Sequence, residues 1–570
     1  MMRLNRAVRL ATAIGSAFML SCCASTTIGT PQKTYDLIIR GGTIYDGAGG
    51  VPYVGDVALN GDRIAYVGPA LAKGAAREVD ARGLAVAPGF INMLSWATES
   101  LIVDAKGQSD IRQGVTLQVM GEGWSMGPMS AEMKAREATR QGDFKYTIDW
   151  TTLGEYLEML ERRGTAHNVA SFVGAATVRI HELGEYDVDP TPEQLGRMRG
   201  LVRQAMNEGA MGVGSSLIYA PGSFAETDEL VALMTEAGKC GGMYISHMRS
   251  EGDRLIGSVD ELIEISRRSN APAEIYHLKM AGRSNWDKFD DVVGRVEKAR
   301  AAGQRITADM YTYTAGATGL DAAMPLWVQN GGLEKWIERL KDPATRARVA
   351  AEMKTPGKGW ENLYFGAGPD KMILSGFKNE ALKKYTGKTL SEMAKLRGKS
   401  PEETAMDLVV EDGSRVGTVY FLMSEDNVRK QVALPWMSFG SDGESQAPEG
   451  VFLKSSTHPR TYGNFARLLG RYVRDEKLVT LPEAVRRLTS FPATNLGISE
   501  RGALKVGNFA DLAIFNPATI SDVATFEKPQ QYAVGMRHVF VNGVQVLKDG
   551  DHTGATPGRV VRGKGWKKCL

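Results

Sequence analysis

The 570-residue sequence predicts an α/β protein, a (β/α)8 barrel joined to a small β-sandwich made from both chain ends. Two observations carry this reading. Across the middle of the chain, short apolar runs alternate with segments of helical periodicity, as in a parallel sheet with right-handed crossovers. Toward both ends, short apolar runs are separated only by glycine and turn residues, as in strands joined by hairpins.

Taken in order, the first 22 residues stand apart. Arg3, Arg6 and Arg9 precede the apolar run Leu10 to Leu20 and then Ser21-Cys22-Cys23-Ala24-Ser25. A charged start, an apolar core too short to span a bilayer and a small-residue exit describe a secretory signal. It is either a plain cleaved signal or a lipoprotein type, with Cys22 or Cys23 as the lipidated residue. The expected location is therefore outside the cytoplasm, periplasmic or lipid-anchored to a bacterial membrane, with that anchor as the protein's one membrane contact.

Residues 35–88 and 496–565 supply the expected β-sandwich. Asp36-Leu-Ile-Ile-Arg-Gly-Gly-Thr-Ile-Tyr45, Asp56-Val-Ala-Leu and Arg63-Ile-Ala-Tyr-Val-Gly68 read as strands at one end. Ala510-Asp-Leu-Ala-Ile-Phe515 and His538-Val-Phe-Val-Asn-Gly543 do so at the other, and Asn-Gly between apolar runs is a hairpin signal. Residues 89–495 supply the barrel. Its strand candidates are Thr116-Leu-Gln-Val-Met120, Val169-Ala-Ser-Phe-Val173, Met211-Gly-Val-Gly-Ser215, Tyr244-Ile-Ser246, Ala273-Glu-Ile-Tyr-His-Leu278, Arg305-Ile-Thr-Ala-Asp309 and Met437-Ser-Phe439. Between two of them, Leu255, Ile256, Val259, Leu262 and Ile263 repeat with helical period. Val419-Tyr-Phe-Leu422 is one strand candidate too many, which places an insertion, lysine-rich and partly helical, around 314–435 as a possible lid.

Composition excludes some classes of function. The whole chain carries 69 basic and 66 acidic residues, and removing the first 21 residues takes away three arginines and no acid, leaving a neutral protein. Nothing in that balance favours nucleic acid. Beyond the signal only Cys240 and Cys569 remain, so no disulfide framework is implied, and Cys240 reads as a buried structural thiol.

A barrel puts its chemistry where strands end, so polar residues directly after apolar runs are the candidates. Glu122, His247, His277 and Asp442 occupy such places, and two of the chain's seven histidines end consecutive strands. Imidazole and carboxylate suit zinc, which in catalytic sites takes three protein ligands. On residue pattern alone, hydrogen-bonded structural histidines fit equally well.

The wording of these segments adds to the pattern. Leu37-Ile-Ile-Arg-Gly-Gly-Thr-Ile-Tyr-Asp-Gly47, Ala87-Pro-Gly-Phe-Ile91, Gln113-Gly-Val-Thr116, the two histidine segments, Ser441-Asp-Gly443, His458-Pro-Arg-Thr-Tyr-Gly463 and Gly507-Asn-Phe-Ala-Asp-Leu512 follow one another in order. Together they resemble the amidohydrolase superfamily and, within it, the D-aminoacylase (N-acyl-D-amino-acid deacylase) family. The resemblance implies that His247 and His277 hold a tightly bound metal and that Asp442 is the general base, passing a proton from water to the leaving amine. Lys279 and Tyr311 match positions that grip a substrate carboxylate. Arg460 is a further anion contact or, equally, a solvated surface arginine. His458 stands beside that site, Tyr313 reads as packing, and His167, His181, His538 and His552 match no ligand position.

The chain also departs from that family. Its His-x-His becomes Leu94-Ser-Trp96, which removes the ligands of a second, loosely held metal and puts a bulky apolar ring at the floor of a drier site. Where deacylases show a cysteine ligand, this chain has Glu122, giving a His2Glu set for one zinc per chain. The segment Gly174-Ala-Ala-Thr-Val-Arg179 lacks a histidine that could steady an oxyanion.

Three functions follow. The first is a zinc-dependent hydrolase that removes the acyl group from N-acyl amino acids, of D configuration by the resemblance, or cleaves a related small amide or dipeptide bearing a carboxylate. The second acts on a cyclic amide or another C–N bond, since fold does not set substrate. The third is a non-catalytic exported binding lipoprotein.

Overall fold

The computed structural model describes residues 35–569, so the signal expected in the first 22 residues lies outside the described part. Eight parallel strands form the barrel: Phe90–Asn92, Val115–Met120, Asn168–Ser171 continued by Val173–Gly174, Gly212–Ser216, Met243–His247, Ala273–Ile275, Ile306–Met310 and Met437–Phe439. Each pairs in parallel with the next. The barrel closes where the Met93 N–H donates to the Phe439 carbonyl at 3.2 Å and Ser95 bridges Gly443.

Every residue of these strands is buried, because helices cover the outside and side chains fill the inside. The helices start and stop where their caps dictate. Leu153–Arg163 and Pro192–Glu208 each open with a capping box, Thr152 with Glu155 and Thr191 with Gln194. In Leu255–Ser269 the residues Leu255, Val259 and Leu262 are buried at three- and four-residue intervals, so one stripe of the helix seals the barrel wall.

Nine strands from the two chain ends form one hydrogen-bonded sheet. It folds over its own core: Leu37, Val57 and Ile64 pack with Leu512, Ile514 and Phe540, and Arg63 bridges Phe509 across the gap. The hairpin Met536–Val541 to Val544–Lys548 turns at Asn542-Gly543, both at positive φ (48° and 78°).

The extra strand run belongs to the insertion. Gly417–Phe421 lies between Ala315–Gly319 and Met372–Gly376 in a three-stranded antiparallel sheet. Helices close a separate apolar core over it around Trp336, Leu340, Leu374, Leu408 and Tyr420. The insertion is thus partly sheet as well as helix.

One expectation is overturned. Cys240 is not a free thiol but is disulfide-bonded to Cys569, with Cα atoms 5.4 Å apart. Sequence alone could not pair residues 329 positions apart. The C-terminal tail brings them together by running back along the barrel, where the Val561 N–H donates to Val169 O and the Gly563 N–H to Gly209 O, each at 2.8 Å.

Candidate active site

A cavity of about 840 Å³ opens at the C-terminal ends of the barrel strands, between the barrel and the insertion. Glu122, His247, Glu251, His277, Lys279, Tyr311, Asp442 and Arg460 all line it. His247 is the last residue of its strand, and Glu122, His277 and Asp442 stand two to three positions past theirs, where the backbone leaves the sheet.

Local conformation aims these groups. Glu122 sits between Gly121 and Gly123, at φ 105° and 69°. A Cβ on Gly121 would meet the Phe172 carbonyl oxygen at 2.3 Å, and one on Gly123 would meet the Ser216 Cβ at 2.4 Å, so only glycine fits on either side. His277 and Asp442 themselves adopt positive φ, 33° and 48°, an uncommon state for side-chain-bearing residues that concentrates at functional sites.

Glu122, His247 and His277 form one buried group whose donor atoms lie within 4.8 Å of one another. His247 Nδ1 lies 3.0 Å and His277 Nε2 3.1 Å from the same Glu122 oxygen, Oε1. Two imidazole nitrogens and a carboxylate oxygen are a donor set that suits zinc. Burial works to raise the Glu122 carboxyl, but His277 and His247 hold it below the ordinary range.

Behind the histidines stands Glu251, four residues after His247 and not anticipated from sequence. Its Oε1 lies 3.0 Å from His277 Nδ1 and 2.7 Å from Lys279 Nζ, and its Oε2 3.5 Å from His247 Nε2. A carboxylate on the far nitrogen of a metal-binding imidazole sets the ring's tautomer and orientation. Burial opposes the charge on Glu251, but Lys279, His247 and His277 together keep its carboxyl below the ordinary range. The barrel wall adds Asp309, whose Oδ1 accepts the His277 backbone N–H at 2.9 Å.

Asp442 faces this group from the opposite rim. Its backbone N–H donates to the Leu94 carbonyl at 2.9 Å, its Oδ2 lies 2.8 Å from Arg460 NH1, and its Oδ1 accepts from Trp96 Nε1 at 3.1 Å. Burial raises its carboxyl above the ordinary value, with Arg460 working against that rise. Arg460 is 3% exposed, so the surface reading of this residue is excluded. Its guanidinium carbon stands 4.4 Å from the Tyr311 ring centroid, and its Nε has no partner within the protein. His458 accepts the Arg460 backbone N–H at 3.0 Å on Nδ1 and donates from Nε2 to Ala315 O at 2.9 Å. Burial and Arg460 lower its pKa well below the ordinary value, so it is neutral and orients the arginine. Lys279 is buried against Glu251, and Tyr313 donates to Asp522 at 3.1 Å, away from the metal group.

Leu94 and Trp96 behave differently from each other. Leu94 is fully buried in an apolar cluster with Ile91, Leu117 and Val119. Trp96 is not only an apolar floor, because its indole N–H also donates to Glu122 Oε2 at 2.9 Å. The floor therefore carries one polar donor in addition to the apolar ring. Ala175 and Ala176 begin the helix Ala175–Leu183, and Ala176 lines the cavity without a polar side chain. Of the remaining histidines, His181 contacts Glu182, His538 contacts Gln545, and His167 is buried elsewhere.

The chain is similar to known proteins over most of its length. The amidohydrolase family model matches residues 77–547. The D-aminoacylase of Alcaligenes xylosoxydans xylosoxydans is 31% identical over 534 residues, covering 93% of this chain and 98% of the relative. An N-acyl-D-glutamate deacylase from Bordetella bronchiseptica, solved with zinc and a phosphonate mimic of the tetrahedral intermediate, superposes with a TM-score of 0.77 at 28% identity. That match covers 93% of this chain and all of the other. A D-aminoacylase solved to define its binuclear metal centre, with one-metal activation and second-metal attenuation, also gives a TM-score of 0.77. It is 30% identical over the same 93% of this chain and all of its own.

Proposed function

The chain belongs to the amidohydrolase family and hydrolyses C–N amide bonds, and we propose that it is a one-zinc deacylase of N-acyl-D-amino acids. The observation that carries this reading is the convergence of Glu122, His247, His277 and Asp442 on one cavity that also presents Arg460. Glu122, His247 and His277 would hold the zinc. When bound, zinc polarises the scissile carbonyl and acidifies water.

The protein's own groups do the rest. Asp442 takes the proton of the attacking water on its carboxylate and returns it to the departing amine nitrogen. Burial tunes it upward for that exchange, since a base works best with its pKa near the operating pH. Arg460 receives the substrate carboxylate through its unpartnered Nε, with the Tyr311 ring stacked beneath it. Lys279, held by Glu251, adds positive charge at the same end. The D configuration follows the named activity of the Alcaligenes relative. Ala317 lines the cavity with a small apolar side chain, which favours neutral amino acids. The Cys240–Cys569 bond supports export to the periplasm or to a lipid-anchored position, because disulfides persist in oxidising compartments.

Metal analysis of the purified protein beside His247→Ala and His277→Ala, with hydrolysis of N-acetyl-D- and N-acetyl-L-amino acids, tests the reading. The expected result is about one zinc per chain, lost in both variants, and release of D-amino acids. Hydrolysis confined to cyclic amides would move the substrate to another class. Zinc-loaded protein without amidase activity would overturn the proposal.

A further inference from the structure

The following rests on the metal-dependent reading above. We propose that Trp96 is a positioning residue whose indole N–H stands in for a second metal ion, keeping the centre mononuclear and holding Glu122 and Asp442 in register.

The hydrogen bonds divide the four carboxylate oxygens between separate tasks. Glu122 Oε1 faces His247 and His277 at 3.0 and 3.1 Å. Asp442 Oδ2 faces Arg460 at 2.8 Å. The two oxygens left, Glu122 Oε2 and Asp442 Oδ1, share the single Trp96 N–H at 2.9 and 3.1 Å. A cation between two carboxylates would use those same oxygens. The indole nitrogen is a donor only, so it can satisfy them and can never ligate a metal.

Three further features support the assignment. The Trp96 backbone N–H donates to Gly443 O at 2.9 Å and Ser95 bridges the same residue, so the indole is anchored to the Asp442 loop itself. Leu94 offers no ligand, since its side chain is fully buried among apolar residues. Two cations, Lys279 on Glu251 and Arg460 on Asp442, already stand against two of the site's acids. A second divalent ion would meet that positive charge without an imidazole to hold it. In the D-aminoacylase with a binuclear centre a second metal attenuates the enzyme, and Trp96 removes the place for such an ion here.

The test is a zinc titration of metal-free protein by calorimetry and elemental analysis, with kcat and KM on an N-acetyl-D-amino acid at rising zinc. Wild type is expected to saturate at one zinc per chain and to keep its kcat in excess zinc. Trp96→His, which restores an imidazole, is expected to take a second, weaker zinc. Trp96→Phe keeps the ring without its donor and should hold one zinc while kcat falls about 10- to 100-fold at little-changed KM. Retention of the tight zinc shows that each variant is folded. Two zinc ions in wild type, a single zinc in Trp96→His, or an unaltered kcat in Trp96→Phe would each overturn the assignment. A wild type with no zinc and no hydrolysis would instead sink the deacylase reading, a distinguishable result.

Discussion

Glu251 Oε1 lies 2.7 Å from Lys279 Nζ, and this buried pair also reaches His277 Nδ1 at 3.0 Å. One carboxylate thus pairs with the charged lysine and orients an imidazole of the candidate metal group. Glu251→Gln keeps the shape but removes the charge. Zinc affinity should fall about 10- to 100-fold, the usual consequence of losing a carboxylate behind a metal-binding histidine. Competition with a chelator of known affinity measures it, and unchanged affinity would show that Glu251 serves Lys279 alone.

Asp442→Asn should retain zinc and lose about 10²- to 10⁴-fold in kcat, the range expected for an acid–base group. In wild type the base must be ionised, so kcat/KM should fall as pH drops through its pKa. Burial places that acid limb above the ordinary aspartate range. A pH–rate profile checks both, and an asparagine variant with wild-type kcat would remove the proton-transfer role.

Arg460→Lys replaces a planar fork by a point charge where a carboxylate is to be bound. KM should rise about 10-fold or more, in line with the loss of a charge-assisted hydrogen bond. Because Arg460 favours the ionised form of Asp442, Arg460→Ala should also move the acid limb upward. Steady-state kinetics across pH separates the two effects.

His167 is fully buried with both ring nitrogens unpartnered, and burial lowers its pKa to about 3. Its unfolded value is about 6.5, so below that pH the unfolded chain binds a proton that the folded one refuses. Stability from this residue is therefore complete above about pH 6.5 and is lost as pH falls toward 3. At pH 4.5 the loss should be about 2–3 kcal/mol. Urea unfolding at pH 7 and 4.5 should show a smaller pH difference in His167→Leu than in wild type. Equal differences would locate the acid sensitivity elsewhere.

The site was readable in sequence wherever chain direction and strand ends settle it. Glu122, His247, His277 and Asp442 each follow an apolar run, and a parallel barrel must bring the C-terminal ends of its strands to one face. Glu251 follows no such rule: it lies in a loop, and only the fold of that loop carries it behind both histidines. Cys240 and Cys569 were visible as residues but not as a pair, because pairing depends on a tail that returns along the barrel.

Sequence by itself determined the alternation of strand and helix, the two-ended β domain and the donor types at the metal group, because these rest on local periodicity and residue chemistry. Only tertiary structure decided what each donor faces. Leu94 and Trp96 read alike as lost histidines, yet one points into the core and the other turns its N–H onto Glu122 and Asp442. Side-chain direction at a strand end depends on how the barrel closes, and that closure joins residues far apart in the chain, Met93 to Phe439.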